Sequence, residues 1–404
     1  MIMNKDLRIL YIEDNADERE GLKEVLSGQK VNGHTMIIDC EPSFDKAIEK
    51  SQNYHIVILD LYSGEATKGG VDMGSKVYEE LKKDIFIPII FYSGDINGVK
   101  DLKSQVIGVA SKGDDTSVLV SEIERLSKHN LPFLRHNVHA HIEQEFRRYF
   151  WDVIQKENDK FTPDADDFSL GYLLLRNFAD SLSKENIKGI IGDDTISPEK
   201  VHPMEFYIYP IEKTKEFENG EIIRCKSNND IFVILTPSCD FISGGGRKRK
   251  AEHVLLVKSV RLDQTDEFEK FSNIKKKQQE VDEYASQIDE LVQKGEDDTA
   301  IQELKEKKDK LVSNISNMKA SFSQFLNSGK SDRFFFLPGT PFMTNRVIDF
   351  QDKTTVGYSS LKTDFERIAK LDSPFAQSMT SSFIRYYNRI GFPDIDTEYV
   401  INHL

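Results

Sequence analysis

The sequence predicts two folded parts of different class. A parallel α/β domain is expected over residues 1–128, and a β-rich α+β domain over 201–404, with a helical connector at 129–200 between them. Three observations lead there. In the first third, unbroken apolar runs alternate with amphipathic stretches, the pattern of a parallel sheet covered on both faces. In the last part, short β-branched and aromatic runs are divided by turns, which suggests a small, curled antiparallel barrel. Residues 266–326 interrupt those runs with two helical stripes, which predicts an inserted antiparallel hairpin.

In the first domain the expected strands are 8–12, 35–38, 56–59, 87–92 and 106–110. The segments "ADEREGLKEVL", "SFDKAIEK", "MGSKVYEELKK" and "TSVLVSEIERLSK" supply the helices between and after them. The connector opens with a long helical pattern at 131–159, where Val138, Ile142, Phe146, Phe150 and Val153 recur at helical spacing beside the single tryptophan, Trp151. His136, His139 and His141 lie in it, but His139 and His141 are two apart and point to different faces, so a packing or dimerising helix is preferred to a metal site. A second amphipathic helix starts at "SLGYLLLRNFADSLSKEN", and the polar "GDDTISPEK" (192–200) marks the boundary. In the second domain, "MEFYIYPI", "GEIIRCK", "DIFVILTPS", "HVLLVKSVRL" and "RFFFLPG" are the expected strands. The hairpin pairs Ile274, Val281, Tyr284, Ile288 and Leu291 with a stripe from Ile301 to Phe325 that only Lys308 breaks. The run 371–396 predicts a terminal helix stopped by "GFPD", with Arg385 and Arg389 one turn apart and paired with surface acids.

The totals bound the function classes. Over 404 residues the formal charge is -14, so bulk electrostatics do not favour nucleic acid, although a local basic patch is compatible with it. The cysteines Cys40, Cys225 and Cys239 are few, odd in number and not spaced for metal, which suits a reducing cytoplasm. The opening "MIMNKDLRILYIED" passes straight into a strand-like run without a signal-peptide layout, and no apolar run reaches the length of a membrane span. A cytoplasmic protein with no membrane partner is expected.

Chemistry collects at strand ends. Strand one ends in Glu13-Asp14, strand three in Asp60, strand four in Ser93 and strand five in Ser111-Lys112. Parallel sheets bind ligands at these carboxyl ends. Facing carboxylates repel, and a hard divalent cation such as Mg²⁺ is their natural neutraliser. An ammonium and a hydroxyl beside them suit anionic oxygens. The set fits phosphoryl transfer onto a carboxylate, with Asp60 as nucleophile and Mg²⁺ and Lys112 balancing charge. A single acid ending a strand needs no such explanation, but so many polar residues at four strand ends favour one shared site.

The motifs "LYIEDN", "VILDLY", "IIFYSGD" and "VASKGD" resemble the receiver domain of bacterial response regulators over roughly the first third of the chain. The resemblance implies a five-stranded flavodoxin-like domain that takes phosphate from a histidine kinase or kinase-like ATPase. It implies Asp60 as phosphoacceptor, Mg²⁺ held by Glu13, Asp14, Asp60 and the backbone of Tyr62, Ser93 as switch hydroxyl and Lys112 as the phosphoryl contact. The sequence departs from the pattern in three places. The segment "YSGEATKGGVDMG" is longer than the usual loop, Gly113 stands where the family usually has proline, and Val109 stands where many members have the aromatic that moves on activation.

In the second domain "ILTPSCDFISGGGRKRK" (234–250) places Ser238, Cys239 and Asp240 before the basic run Arg247, Lys248, Arg249 and Lys250. A nucleophilic thiol would need a base or positive charge, from His253 or that run. A cysteine packed at a strand end beside a solvated loop is the preferred reading, and nucleic acid on the basic run a minor one. "GGGRKRK" lacks the spacing of a nucleotide-binding loop. The stretch "GEIIRCK…DIFVILTPSCD" loosely resembles SH3-like barrels of the plasmid-maintenance toxin type, some of which are ribonucleases; no catalytic residue is transferred. The leading expectation is a phosphorylation-controlled response regulator whose second domain binds a downstream protein, in bacterial signalling with a stress or phage-defence role suggested by the unusual output domain. Homodimerisation is compatible with it. A receiver-controlled nuclease centred on Cys239, Asp240 and the basic run is the rival, and a pseudo-receiver used for dimerisation is a third reading.

Overall fold

The structure is a computed structural model that describes residues 6–64, 70–156, 169–193, 200–244, 246, 248–294, 298–329, 331–389 and 395–403. The chain divides into two compact units, Met1–Glu199 and Lys200–Leu404, so the connector segment clusters with the first unit.

The first unit is built on five parallel strands: β1 (Leu7–Ile12), β3 (His34–Glu41), β4 (Ile56–Leu59), β7 (Ile89–Ser93) and β8 (Ile107–Ser111). They lie in the order β3-β1-β4-β7-β8, and a two-residue antiparallel strand, β2 (Lys30–Val31), is added at the β3 edge. This is the doubly wound order of flavodoxin-like sheets. The apolar runs are continuous because both faces are buried. Leu7, Ile9 and Tyr11 face one core layer, while Leu10 and Ile12 face the other. The helices that cover these layers are α1 (Ala16–Leu26), α2 (Ala47–Ser51), α3 (Gly74–Asp84) and α4 (Thr116–Ser127). Asn15 caps α1 by accepting from the Asp17 and Glu18 amides, and Asp115 caps α4 from Ser117. Each such cap stabilises its helix by about 1 kcal/mol.

The connector continues as an α-helix over Leu134–Arg147, followed by a π-helical turn, Arg148–Ile154, and further helices Leu170–Ser181 and Lys184–Ile191. Its start is fastened to the sheet domain. The buried Phe133 ring lies 4.6 Å from the His34 ring and 4.5 Å from His55, and Asn130 is 3.1 Å from His34 Nε2. His136 packs on His55 while His141 meets the Ser181 hydroxyl at 3.0 Å, so these histidines serve separate contacts.

The second unit holds a seven-stranded, wholly antiparallel sheet. Its strands are β9 (Tyr207–Ile208), β10 (Glu221–Cys225), β11 (Ile231–Ile234), β12 (His253–Arg261), β13 (Phe334–Leu337), β14 (Arg346–Gly357) and β15 (Phe365–Leu371), in the order β13-β14-β12-β11-β10-β15-β9. Register shifts at Val257/Ser259 and Ile222/Ile223 bend the sheet. No ladder joins β9 to β13 among the described residues. Their ends meet through side chains instead: the buried Tyr207 hydroxyl donates to the Pro338 carbonyl at 2.8 Å, and Tyr209 stacks on Phe342 at 4.2 Å. The strands β14 and β15 were not among those expected, because "QDKTT" and "FERIAKL" are rich in exposed charge.

The insertion forms two paired helices, Ile274–Lys294 and Asp298–Leu326, preceded by a short one, Asp266–Ser272. Ile274, Val281 and Ile315 are buried in the seam, and Phe271 stacks on Phe322 at 4.0 Å near its base. Phe325 anchors that base to Leu262 and Val347. The terminal helix spans Phe375–Tyr387, where Arg385 donates to Asp332 at 2.8 Å. Arg389 lies instead over the Tyr386 ring, 4.4 Å away. Among the described residues no helix is long and apolar enough to cross a membrane.

Candidate functional site: an acid pocket at the sheet edge

The chain reverses its winding direction between β1 and β4, which opens a crevice at their carboxyl ends. Glu13 follows β1 and Asp60 follows β4, so the two acids flank that crevice. Asp60 is held in register by its amide, which donates to the Ile12 carbonyl at 3.0 Å. Glu13 and Asp60 are only 1% and 5% exposed, whereas Asp14 faces solvent. Carboxylate oxygens of these three residues lie within 4.8 Å of one another. They line a cleft of about 630 Å³ together with Tyr62, Ser93 and Lys112.

Burial of two carboxylates demands partners. Lys112 supplies them: its ammonium bonds Glu13 Oε2 and lies 3.2 Å from Asp60 Oδ2. The Leu61 amide donates to Asp60 Oδ1 at 2.8 Å, so Oδ2 is the oxygen turned to the ammonium. Glu13 also accepts from the Tyr11 hydroxyl at 2.9 Å and the Asn15 amide at 3.0 Å. Burial raises the Glu13 carboxyl above its usual range, although the Lys112 bond opposes the shift. Burial alone would depress the Lys112 ammonium, but the Glu13 bond and the Asp60 and Glu13 charges outweigh it and leave it raised. The Tyr11 hydroxyl is pushed up by burial and by Glu13, so it stays a donor. Lys112 is placed by its own amide, which donates to the Ser93 carbonyl at 3.0 Å.

Asp14 is occupied on one side. Its Oδ2 accepts from the Ser63 hydroxyl and the Gly64 amide, both at 2.9 Å. The long loop after Asp60 begins with β5 (Tyr62–Ser63), which pairs with β6 (Val71–Asp72). Residues 65–69, between these two strands, lie outside the described segments. Behind it Gly74 packs against the acid's own backbone: a Cβ there would meet the Asp60 carbonyl oxygen at 2.2 Å.

All six expected site residues line this one cleft: Glu13, Asp14, Asp60, Tyr62, Ser93 and Lys112. Tyr11 and Gly74 were not singled out in the sequence. Tyr11 stands two before Glu13 along extended chain at the end of β1, so period-two alternation puts both on one side and was the available signal. Gly74 carried none, since its need comes from a contact across the loop. The buried Val109 lies opposite Phe91 in one core layer, while Tyr92 faces the other.

Three oxygen-donor acids around one point suit a hard cation such as Mg²⁺. Chemically, the arrangement offers a fixed carboxylate oxygen, a lysine ammonium and a serine hydroxyl at one sheet edge.

In the second unit Cys239 is exposed, which corrects the expectation that it packs at the strand end. The chain leaves β11 in a tight turn, Ser238–Asp240, and the fully buried Phe241 takes the core position instead. Cys239 Sγ lies 3.7 Å from Asp240 Oδ1. Arg249 lies 3.5 Å over the Tyr358 ring, Lys248 and Lys250 are exposed, and Arg247 falls outside the described residues.

No family model matches the chain, and no curated protein matches it. Solved structures similar to its N-terminal part are response regulator receiver domains. One is the BeF3-activated N-terminal receiver domain of Klebsiella pneumoniae RstA, at 20% identity and TM-score 0.24, covering 30% of this chain and 98% of that one. Another is the Vibrio cholerae chemotaxis protein CheY4, at 16% identity and TM-score 0.23, again over 30% and 98%. NtrX from Brucella abortus, solved with ATP, is similar at 17% identity and TM-score 0.25 over 35% of this chain and 34% of its own.

Proposed function

We propose that the first unit is a receiver that accepts a phosphoryl group on Asp60, and that this controls partner binding by the second unit. The observation that carries the proposal is the acid cluster within 4.8 Å, with Lys112 bridging Glu13 and Asp60 at the sheet's switch point. Two buried carboxylates and an exposed third gathered at one point have no structural role of their own. It does suit a site that must take a cation and a phosphoryl group together.

In this reading Asp60 Oδ2 attacks the phosphorus of an incoming donor while the donor's leaving group departs with the bonding electrons. The product is an acyl phosphate on Asp60. Leu61 N–H keeps Oδ1 fixed, which orients Oδ2 towards the cleft. Lys112, already beside Oδ2, transfers its attraction to a phosphoryl oxygen, and the Ser93 hydroxyl donates to another. Glu13, Asp14, Asp60 and the Tyr62 carbonyl would hold Mg²⁺, whose chemistry is to neutralise charge on the transferred group. A histidine kinase or kinase-like ATPase is the proposed physiological donor, and a bacterial signalling pathway the setting. The output is proposed to be protein binding through the curled sheet or its hairpin. The nuclease reading gains nothing from the exposed Cys239, whose thiol lies beside the Asp240 carboxylate rather than a base or a cation.

Intact-mass measurement after incubation with Mg²⁺ and a small phosphodonor tests this. The wild type should gain one phosphate, stable in acid and labile to hydroxylamine, and Asp60→Ala none. A phosphate of equal yield on Asp60→Ala would sink the assignment.

A further inference from the structure

The second unit carries a cleft of about 480 Å³ whose lining is dominated by cations: Lys213, Lys215, Lys226, Lys362 and Arg367. Two acids, Glu216 and Glu366, also line it, so cations outnumber acids there on a chain whose net charge is -14. The cleft belongs wholly to the second unit and is independent of the function proposed for the acid pocket.

The fold builds this cleft deliberately. Arg367 does not face it as a free charge. It is 11% exposed in its side chain and makes a two-pronged bond to the buried Glu221, at 2.8 and 2.6 Å. Its remaining hydrogens reach the carbonyls of Lys213, Lys215 and Glu216 at 3.1, 2.6 and 3.3 Å. Arg367 is therefore a positioning residue that holds the segment 213–216 as one wall. The opposite wall is the end of helix Tyr358–Asp364, where Lys226 Nζ donates to the Thr363 carbonyl at 2.7 Å.

The other cations keep their charge available. Among the described residues Lys213, Lys226 and Lys362 make no direct ion pair, and Lys215 makes one only with the exposed Glu212, at 3.0 Å. Lys362 lies over the Tyr358 ring at 4.8 Å, and Arg249 of the glycine-rich basic run lies over the same ring at 3.5 Å. Tyr358 thus joins the basic run to this cleft. Glu216, which lines the cleft, already accepts from the Tyr358 and Ser243 hydroxyls at 2.7 and 2.9 Å. Those bonds hold its carboxyl below the usual range, with the Lys362 and Arg249 charges adding to the effect.

We infer that this cleft binds a small, multiply phosphorylated ligand of the nucleoside-polyphosphate class. Ammonium groups around one concavity match clustered phosphate oxygens. The volume lies in the range of small-molecule sites, and Phe217 and Phe365 add apolar wall. A long nucleic acid strand fits less well. Two of the cleft's ten lining residues, Glu216 and Glu366, are acidic, and a cleft of about 480 Å³ matches a small ligand rather than the length of a strand.

The test is calorimetric titration of the full chain, without Mg²⁺, with tripolyphosphate, ATP and a single-stranded RNA oligonucleotide. Tripolyphosphate and ATP should bind saturably, one per chain, and compete. Lys213→Ala/Lys362→Ala should weaken both by about tenfold or more, on the scale of lost charge-assisted bonds. The charge-matched Lys310→Ala/Lys319→Ala on the hairpin should change neither. Equal circular dichroism of the two double variants excludes a folding effect. No saturable binding, or binding indifferent to Lys213 and Lys362, overturns the inference. So does RNA affinity that grows with length and that tripolyphosphate fails to displace.

Discussion

Gly74→Ala is the sharpest probe of how the pocket is held. The added Cβ would stand 2.2 Å from the Asp60 carbonyl oxygen and 2.6 Å from Leu61 Cα, where ordinary contact begins at 3.4 Å. The carbonyl must retreat by about 1.2 Å, the gap between 2.2 and 3.4 Å. That peptide is not free to move, because the Asp60 amide is bonded to Ile12 and the Leu61 carbonyl accepts from both Met73 and Gly74. Overpacking against fixed backbone costs up to about 3 kcal/mol or more. Gly74 opens helix α3, so alanine returns at most ~1 kcal/mol of helix propensity. A net loss of about 2 kcal/mol or more is expected, with Asp60 displaced. Gly21→Ala in α1 is the control, since nothing lies within 4 Å of its Cβ; it should be neutral or slightly stabilising. Hydrogen–deuterium exchange on peptides from β1 and β4, together with phosphate uptake, reads both effects. If Gly74→Ala exchanges and phosphorylates like Gly21→Ala, the close packing behind Asp60 is not what positions it.

Further expectations concern charge. Lys112→Ala leaves two buried carboxylates facing each other, and should cost about 3–5 kcal/mol without Mg²⁺ and recover in part when Mg²⁺ is added, read by thermal unfolding. Arg367→Ala strands the buried Glu221, which burial already raises despite its partner; a loss of about 3–5 kcal/mol is expected in the second unit's unfolding transition, beyond any change in ligand binding. Glu122 follows the opposite sign. Burial pushes its carboxyl up, but Arg125 and Lys103 overcome this and hold it below the usual range. A depressed folded-state value means stability that is present above the unfolded value and lost as pH falls through the folded one. Glu122→Gln should therefore flatten the acid limb of the first unit's stability curve, below about pH 4, in a pH series of unfolding measurements.

The first unit was legible because its signals are local. Runs such as "IVIL" are buried on both faces and announce a parallel strand, and four of the five, all but β3, end at or just before a residue of the cleft. The order of those strands, and hence the meeting of Glu13 with Asp60, follows from how helices cover a twisted sheet. Boundaries moved by one to three residues, as with β3 running on to Glu41 and β7 starting at Ile89, just after Pro88. The second unit was less legible. β14 is exposed along "QDKTT" because only its first half covers the core, so neither alternation nor an apolar run marks it. The cation cleft joins Lys213, Lys226 and Lys362, which are far apart in the chain; only the β10–β15 pairing brings them together. Cys239 drew attention by its motif, but Phe241, two residues on, is the side chain that packs.

The central claim is that Asp60 receives the phosphate. Borohydride reduction after phosphorylation converts an aspartyl phosphate to homoserine, and peptide sequencing by mass spectrometry then locates it. Homoserine at position 60, dependent on Mg²⁺ and abolished by Lys112→Ala, is the result predicted. Homoserine at Asp14 with Asp60 untouched would contradict the account.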